Sequence, residues 1–228
     1  MNNIFKILYG ISPAEIQQTV VIMPFDIPKV AGQLGILHMT NGKLFACGQG
    51  HGFTLIRSGM SAGFVGDCVL RLKDTPCTKI LFLGTCGLIE RKPGLDIGTV
   101  ITPGPIHAFE SFSEIITGTL KTPMLVHTDM SFVKGKVPIA GCISFASIHE
   151  ESKHTHTFRQ LGADVVEMEC SAFFLAAKHI GRISSALLVI SDIVGDENIC
   201  FKLSDNNKKS LANGVSQACK TIKDICKR

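Results

Sequence analysis

The stretch VVEMECSAFF, residues 165–174, sets two carboxylates, Glu167 and Glu169, either side of Met168 inside an otherwise apolar run. A buried charge is costly unless something pairs with it, so acids placed there point to a ligand. Glu169 falls where a strand gives way to a helix, and free amides and the helix dipole favour its ionised form. An ionised carboxylate accepts two hydrogen bonds and suits a vicinal diol, such as a ribose 2′,3′-diol. Met168 offers an adaptable apolar surface for a sugar face. Glu167, one step away in the pleat, is expected to point toward another element or a subunit. Asp192 follows the apolar run ALLVIS. Desolvation there raises a carboxyl pKa and favours the neutral, proton-donating form. Facing a purine ring nitrogen, such an acid assists departure of the base, a contribution of about 10² to 10⁴ in rate. An acid at a helix start is also very often only a cap, and the sequence leaves both readings open.

Other residues carry weaker signals. GTCG (84–87) follows the apolar run KILFL. It reads either as a ligand-facing turn with free amides and the Thr85 hydroxyl or as a plain strand-to-loop transition. His149, His154 and His156 lie near Glu150 and Glu151, but the spacing HEESKHTH lacks the i,i+4 pair of a helical zinc site, so no metal is expected. The chain has no GxSxG nucleophile elbow and no P-loop.

These side chains need elements to position them. Short β-branched runs alternate with helical stretches. TVVIM (19–23) reads as a strand, and HMTNGKLFACGQGHGFTLIRSG as a hairpin or meander around its Asn-Gly and Gly-rich stretch. SAGFVGDCVLRLKD suits a helix with Val65, Val69 and Leu72 on one face. KILFLG (79–84) suits a buried strand, and DIGTVITPG and KVPIAGCISFAS supply further strands. HEESKHTHTFRQLG reads as a helix ending at Gly162, and SDNNKKSLANGVSQACKTIKDICKR as a C-terminal helix capped by Ser204 or Asp205. Between them, ADVVEM, ECSAFFLAAKHIG (closing at Gly181) and SSALLVISDI form a strand–helix–strand unit. Such units are expected to be right-handed crossovers joining parallel strands. Ligands of open α/β sheets sit beyond the carboxyl ends of the strands, which predicts Glu169 and Asp192 on one edge.

Composition narrows the class. Of 228 residues, 45% are apolar and 18% charged, with 22 glycines, the balance of a globular enzyme-like domain rather than a disordered or fibrous chain. No repeat or low-complexity linker divides it, so residues 1–228 read as a single domain. The net charge of +4 is modest and its clusters, Lys208-Lys209 and residues 220–228, read as a solvated helix face and tail, so no nucleic-acid partner is expected. Nine cysteines without a CxxC pair fit free thiols in a reducing cytosol. No run of about 18 apolar residues predicts a membrane span, and MNNIFKILYGI, with Lys6 inside its apolar run, does not read as a signal peptide.

VVEMECSAFFLAAKHIG followed by LLVISDIVGDE resembles the signature of the purine nucleoside phosphorylase and nucleosidase superfamily, nucleoside phosphorylase-I type. KILFLGTCGLI with GLDIGTVITP resembles its second signature, TVVIMPFDIPKV its opening strand and phosphate loop, and RSGMSAG its G-M-G turn. The resemblance runs from about Thr19 to Glu197. It implies an α/β fold of the phosphorylase/hydrolase kind, with a twisted mixed, barrel-like central sheet flanked by helices, and a homodimer or homohexamer. It implies that Met168 and Glu169 hold ribose, that Asp192 faces N7 of a purine with Ser191 in support, and that Thr85 contacts phosphate or the sugar side. The aromatic that covers the base in the family corresponds to about His149, with Phe145 the other candidate.

The departures from the family pattern bear on the reaction. The phosphate loop M-P-G-D-P-x-R reads MPFDIPK here, with Phe25 for Gly and Lys29 for Arg, and the second phosphate Arg corresponds to Phe82. Phe25 removes a close backbone approach. Lys binds phosphate as a point charge and Phe does not bind it. The leading expectation is therefore a cytoplasmic purine nucleosidase without cofactor, with Asp192 as acid and Asp26 orienting water. One alternative is a phosphorylase, with inorganic phosphate as co-substrate, whose phosphate site is rebuilt from Lys29, Thr85 and Arg57. The other is a nucleoside-binding protein that has lost the nucleophile site.

Overall fold

Strands buried on both faces need apolar residues at every position, and this chain supplies them. In the computed structural model, which describes residues 2–27, 29–196 and 203–227, the runs read above as strands form the centre of one ten-stranded sheet. Helix α1 (Asn2–Tyr9) leads to β1 (Thr19–Met23) and a short α2 (Val30–Gln33). The antiparallel meander β2 (Met39–Asn41), β3 (Ala46–Gly50), β4 (Phe53–Arg57) follows, as expected from its turns. Then come α3 (Ala62–Leu70), β5 (Lys79–Leu88), β6 (Val100–Phe109), α4 (Phe112–Thr117), β7 (Met124–Val126) and β8 (Ile139–Phe145). The chain ends with α5 (Thr155–Gln160), β9 (Val165–Glu167), α6 (Cys170–His179), β10 (Ile183–Ile193) and α7 (Asp205–Cys226).

The sheet order is β10-β6-β8-β9-β5-β1-β4-β3-β2, with β7 on β6. A further pairing of β10 with β5 closes β10, β6, β8, β9 and β5 into a ring. The result is a barrel-like sheet with β1 to β4 as an extension. Alternation along the strands splits the core in two. In β1, Val20 and Ile22 face one cluster, with Phe82 of β5, Val65, Val69 and Leu72 after α3, and Phe173 of α6. Val21 and Met23 face the other, with Leu81 and Leu83 of β5 and Val215 and Ile222 of α7. Full burial of each such side chain is worth about 1.5–3 kcal/mol. The N-terminal apolar run is absorbed as well. Phe5 and Tyr9, one turn apart on α1, stack at 4.1 Å, and the Tyr9 hydroxyl donates to the Cys68 carbonyl at 2.7 Å.

Several expectations change. GTCG is neither turn nor loop entry, since β5 runs through it to Leu88, held on both sides by β9 and β10. HEESKHTHTFRQLG opens with a 3₁₀ turn, Glu151–His154, before α5. Gly162 and Gly181 do close their helices, with φ of +73° and +68°. Ser204 caps α7, its hydroxyl accepting from the Asn207 amide at 3.2 Å. The crossover expectation fails: β9 is antiparallel to β5 and β10 parallel to it, so β9 and β10 run in opposite senses with β5 between them. A three-residue strand and its helix cross over the ring rather than wind along one sheet. The eight described cysteines are free, seven of them buried. No helix among the described residues is long and apolar enough to cross a membrane. Cys200, Pro28 of the MPFDIPK loop, Glu197 at the end of the resemblance and Arg228 of the basic tail lie outside the described residues.

Candidate active site

The two acidic motifs meet because both flank the same residue. Gly87 of β5 pairs with Val166 of β9 on one side and with Asp192 of β10 on the other. Opposed strands thus deliver Glu169 and Asp192 to one level of the ring, where parallel strands had been expected to do so. Between Ile190 and Asp192 the register of β10 slips. Such a bulge re-aims side chains. Here Ser191 and Asp192, neighbours that would face opposite sides of a regular strand, both line the cleft. Gly87 leaves room for them: a Cβ there would stand 3.7 Å from Asp192 Oδ2 and 3.1 Å from Val194 Cγ2.

The cleft itself is small and opens to solvent. Thr85, Cys86 and Gly87 form its floor, Glu167, Met168 and Glu169 one wall, and Ser191 and Asp192 the other. Phe25, Met60, Ile148 and Glu151 complete it. Among the described residues, four that line it are acids and none is Lys, Arg or His.

The two glutamates of VEME do different work. Glu167 is the cap. Its Oε2 accepts from the Glu169 and Cys170 amides at 2.7 and 2.6 Å, at the start of α6, and its Oε1 accepts from the Ser144 hydroxyl of β8. It thus points toward another element, β8. Burial still raises its pKa, opposed by these donors. Glu169, at the N-cap position, makes no capping bond. Its Oε1 instead accepts from the Ser61 amide at 2.8 Å, at the end of the RSGMSAG turn. Ser61 sits at φ +99°, where side-chain-bearing residues are strained. Burial first, and then the charge of Glu167, push Glu169 up to about 7, against the lowering effect of Ser61. The ionised form expected from the helix dipole is thus outweighed by desolvation. The Ser191 hydroxyl donates to Asp192 Oδ1 at 2.5 Å and approaches the Cys86 carbonyl at 3.2 Å.

Glu151 escaped the sequence reading as a site residue. It is 8% exposed, and burial, then Asp192 and Glu167, push it up to about 8. Its neighbour Glu150 turns the other way and pairs with Lys153 at 2.8 Å. Nothing in HEESKH says which of the two acids faces inward, since the 3₁₀ turn decides it. Ile148 was missed for the same reason.

Other expected residues lie elsewhere. Asp26 and Arg57 form an ion pair with each other, and neither lines the cleft. Arg57 also donates to Asn41 Oδ1 at 3.3 Å. Lys29, at φ +67°, lines a separate, mainly apolar groove with Phe25, Thr85, Lys208 and Leu211. Thr85 and Phe25 border both spaces. The His149 side chain is 90% exposed beside Glu150, and Phe145 is fully buried against Phe109, His154 and Phe158. Neither covers the cleft; Ile148, Met60 and Phe25 are the apolar side chains that do. Phe82 packs on Phe173 in the core at 5.4 Å. Among the described residues no cluster of His, Cys, Asp and Glu could hold a metal ion.

The chain is thus an α/β protein with a closed mixed sheet and an acid-lined cleft at its bulged strand. Residues 131–227 match the sequence model of the phosphorylase superfamily. Among solved structures, a 5′-methylthioadenosine/S-adenosyl homocysteine nucleosidase from Campylobacter jejuni aligns with a TM-score of 0.69 at 12% identity, over 92% of this chain and 98% of that one. A uridine phosphorylase from Vibrio fischeri aligns at 0.71 and 16%, over 94% of each chain. An AMP nucleosidase from Bacteroides thetaiotaomicron aligns at 0.66 and 16%, over 98% of this chain and 96% of that one. No curated protein matches the chain by sequence. The likeness to the phosphorylase superfamily thus rests on residues 131–227 in sequence and on the fold over nearly the whole chain.

Proposed function

We propose that this protein cleaves the N-glycosidic bond of a purine nucleoside with water as the acceptor. One observation carries the choice of water: Glu151, Glu167, Glu169 and Asp192 line the cleft, and no Lys, Arg or His among the described residues does. A phosphate dianion would find no guanidinium fork there. A ribose oxocarbenium ion, by contrast, needs no cation and gains from carboxyl oxygens as its positive charge develops. Glu169, anchored through Oε1 by Ser61, turns its other oxygen to the ribose diol, with Met168 beneath the sugar. Asp192, oriented by Ser191, gives its proton to N7 as the bond from C1′ to the base breaks. Water then bonds to C1′. The proton it loses returns to the cleft carboxylates, which restores the acid.

The fold, shared with two nucleosidases and a uridine phosphorylase, supports cleavage of a nucleoside glycosidic bond, and the choice of water rests on the cleft. Exposed Phe112, Ile116, Met124, Leu125 and Ile139, on α4, β7 and the start of β8, support a homo-oligomer. A second reading, a nucleoside-binding protein, draws on one observation: Asp26, the carboxylate of the N-terminal loop, is engaged by Arg57 outside the cleft. Base release from adenosine, inosine, methylthioadenosine and uridine, with and without phosphate, tests the proposal. Release from purine nucleosides without phosphate is the expected result. Release only with phosphate refutes hydrolysis and points to a phosphate site at Thr85 and Lys29. Tight nucleoside binding without release favours the second reading.

A further inference from the structure

The side chain at a helix N-cap ordinarily accepts from the amide two or three residues on. The N-cap of α6 is Glu169, so the first amide it would claim is that of Ser171. That amide is already taken: it donates to the Ser144 hydroxyl oxygen of β8 at 3.0 Å. Glu167 takes the two amides before it, of Glu169 and Cys170. Two residues of neighbouring strands therefore cap α6 in place of its own N-cap side chain.

These two residues act as one unit. Ser144 of β8 and Glu167 of β9 are partners in register on adjacent parallel strands, so their side chains share a face. The Ser144 hydroxyl donates to Glu167 Oε1, which leaves its lone pairs for the Ser171 amide. Ser144 and Ser171 are both fully buried, and the Ser171 hydroxyl is engaged by Glu110. Without Ser144 the Ser171 amide would be buried and unpaired, which is costly. The acceptor that its own helix then offers is the Glu169 carboxylate. We propose, building on the reading of Glu169 as the ribose ligand, that Ser144 is a positioning residue for sugar binding. By occupying the Ser171 amide it releases the Glu169 carboxylate from its own helix, so that Glu169 is held by Ser61 and faces the cleft. Ser144 itself does not line the cleft and acts only through Glu169.

The test is a double-mutant cycle read by calorimetry. The wild type, Ser144→Ala, Glu169→Gln and the two substitutions together are titrated with 9-deazaadenosine, whose carbon–carbon bond to the base resists cleavage, and with the free base 9-deazaadenine. Glu169→Gln is expected to weaken the riboside by about 10-fold and leave the base unchanged. Ser144→Ala is expected to do the same, because Glu169 turns to the Ser171 amide. In the double variant the two losses do not add. A merely structural role for Ser144 would instead weaken riboside and base alike, or add to the effect of Glu169→Gln. Ser144→Cys, whose thiol is a poor acceptor, keeps the volume of the side chain and gives the same pattern where the alanine variant does not fold. Riboside binding that neither Ser144 substitution moves, an equal loss for the base, or losses that add overturns the inference while leaving Glu169 on the sugar. Wild-type affinity for the riboside in Glu169→Gln, or a wild type that binds neither compound, overturns the inference together with the reading beneath it.

Discussion

Replacing Glu169 by Gln should stabilise this protein, and the gain should depend on pH. Burial and Glu167 raise the Glu169 carboxyl from 4.5 to about 7. In the unfolded chain it loses its proton near 4.5; in the folded protein it holds the proton to about 7. Between those values the folded state binds more protons, so stability falls as pH rises through this window and levels off above it. At about 1.4 kcal/mol per pH unit, the loss is about 3 kcal/mol. Gln is neutral at every pH and keeps an oxygen for the Ser61 amide, so it does not share the loss. Urea denaturation of both proteins at about pH 4 and about pH 8 should show similar stabilities at the lower pH. At the higher pH the variant should be ahead by about 3 kcal/mol, or about 6–12 °C in Tm. The same variant should lose affinity for ribosides but not for the free base. A gap that is the same at both values, or a variant less stable at the higher one, would refute the assignment of a buried, proton-holding Glu169.

Three further outcomes follow from the same geometry. Ser61→Gly removes a side chain from a backbone position at φ +99° and keeps the amide that holds Glu169, so it should raise stability by about 1–3 kcal/mol in thermal melts; no change would mean that Ser61 is unstrained. Asp192→Asn should lower the rate of base release by about 10² to 10⁴ while nucleoside binding persists, and an unchanged rate would remove Asp192 from the chemistry. Gly87→Ala puts a methyl 3.1 Å from Val194 Cγ2 at the floor of the cleft and should weaken purine binding by about 10-fold, read by calorimetry; unaltered binding would place the base elsewhere.

Much of this site is written locally. Strands buried on both faces, glycine-closed helices and the Ser204 cap follow from short-range patterns. The positions of Glu167, Glu169 and Asp192 at element ends are legible from the same patterns, because desolvation and helix starts are local events. Which acid caps and which faces the cleft is not, because Glu167 is claimed by Ser144 and Glu169 by Ser61, residues distant in sequence. His149 and Phe145 were candidates by alignment to a pattern, but one faces solvent and the other fills the core.

The sequence by itself determined the elements and placed carboxylates at their ends. Only the tertiary structure decided that β9 and β10 run in opposite senses and meet at Gly87, that Asp26 turns to Arg57, and that Glu151 rather than Glu150 points inward. The physical reason is that propensity and periodicity act over one or two turns of chain. The state of a carboxyl is set instead by the water it loses and the donors and charges it meets, and those arrive from segments up to about a hundred residues away.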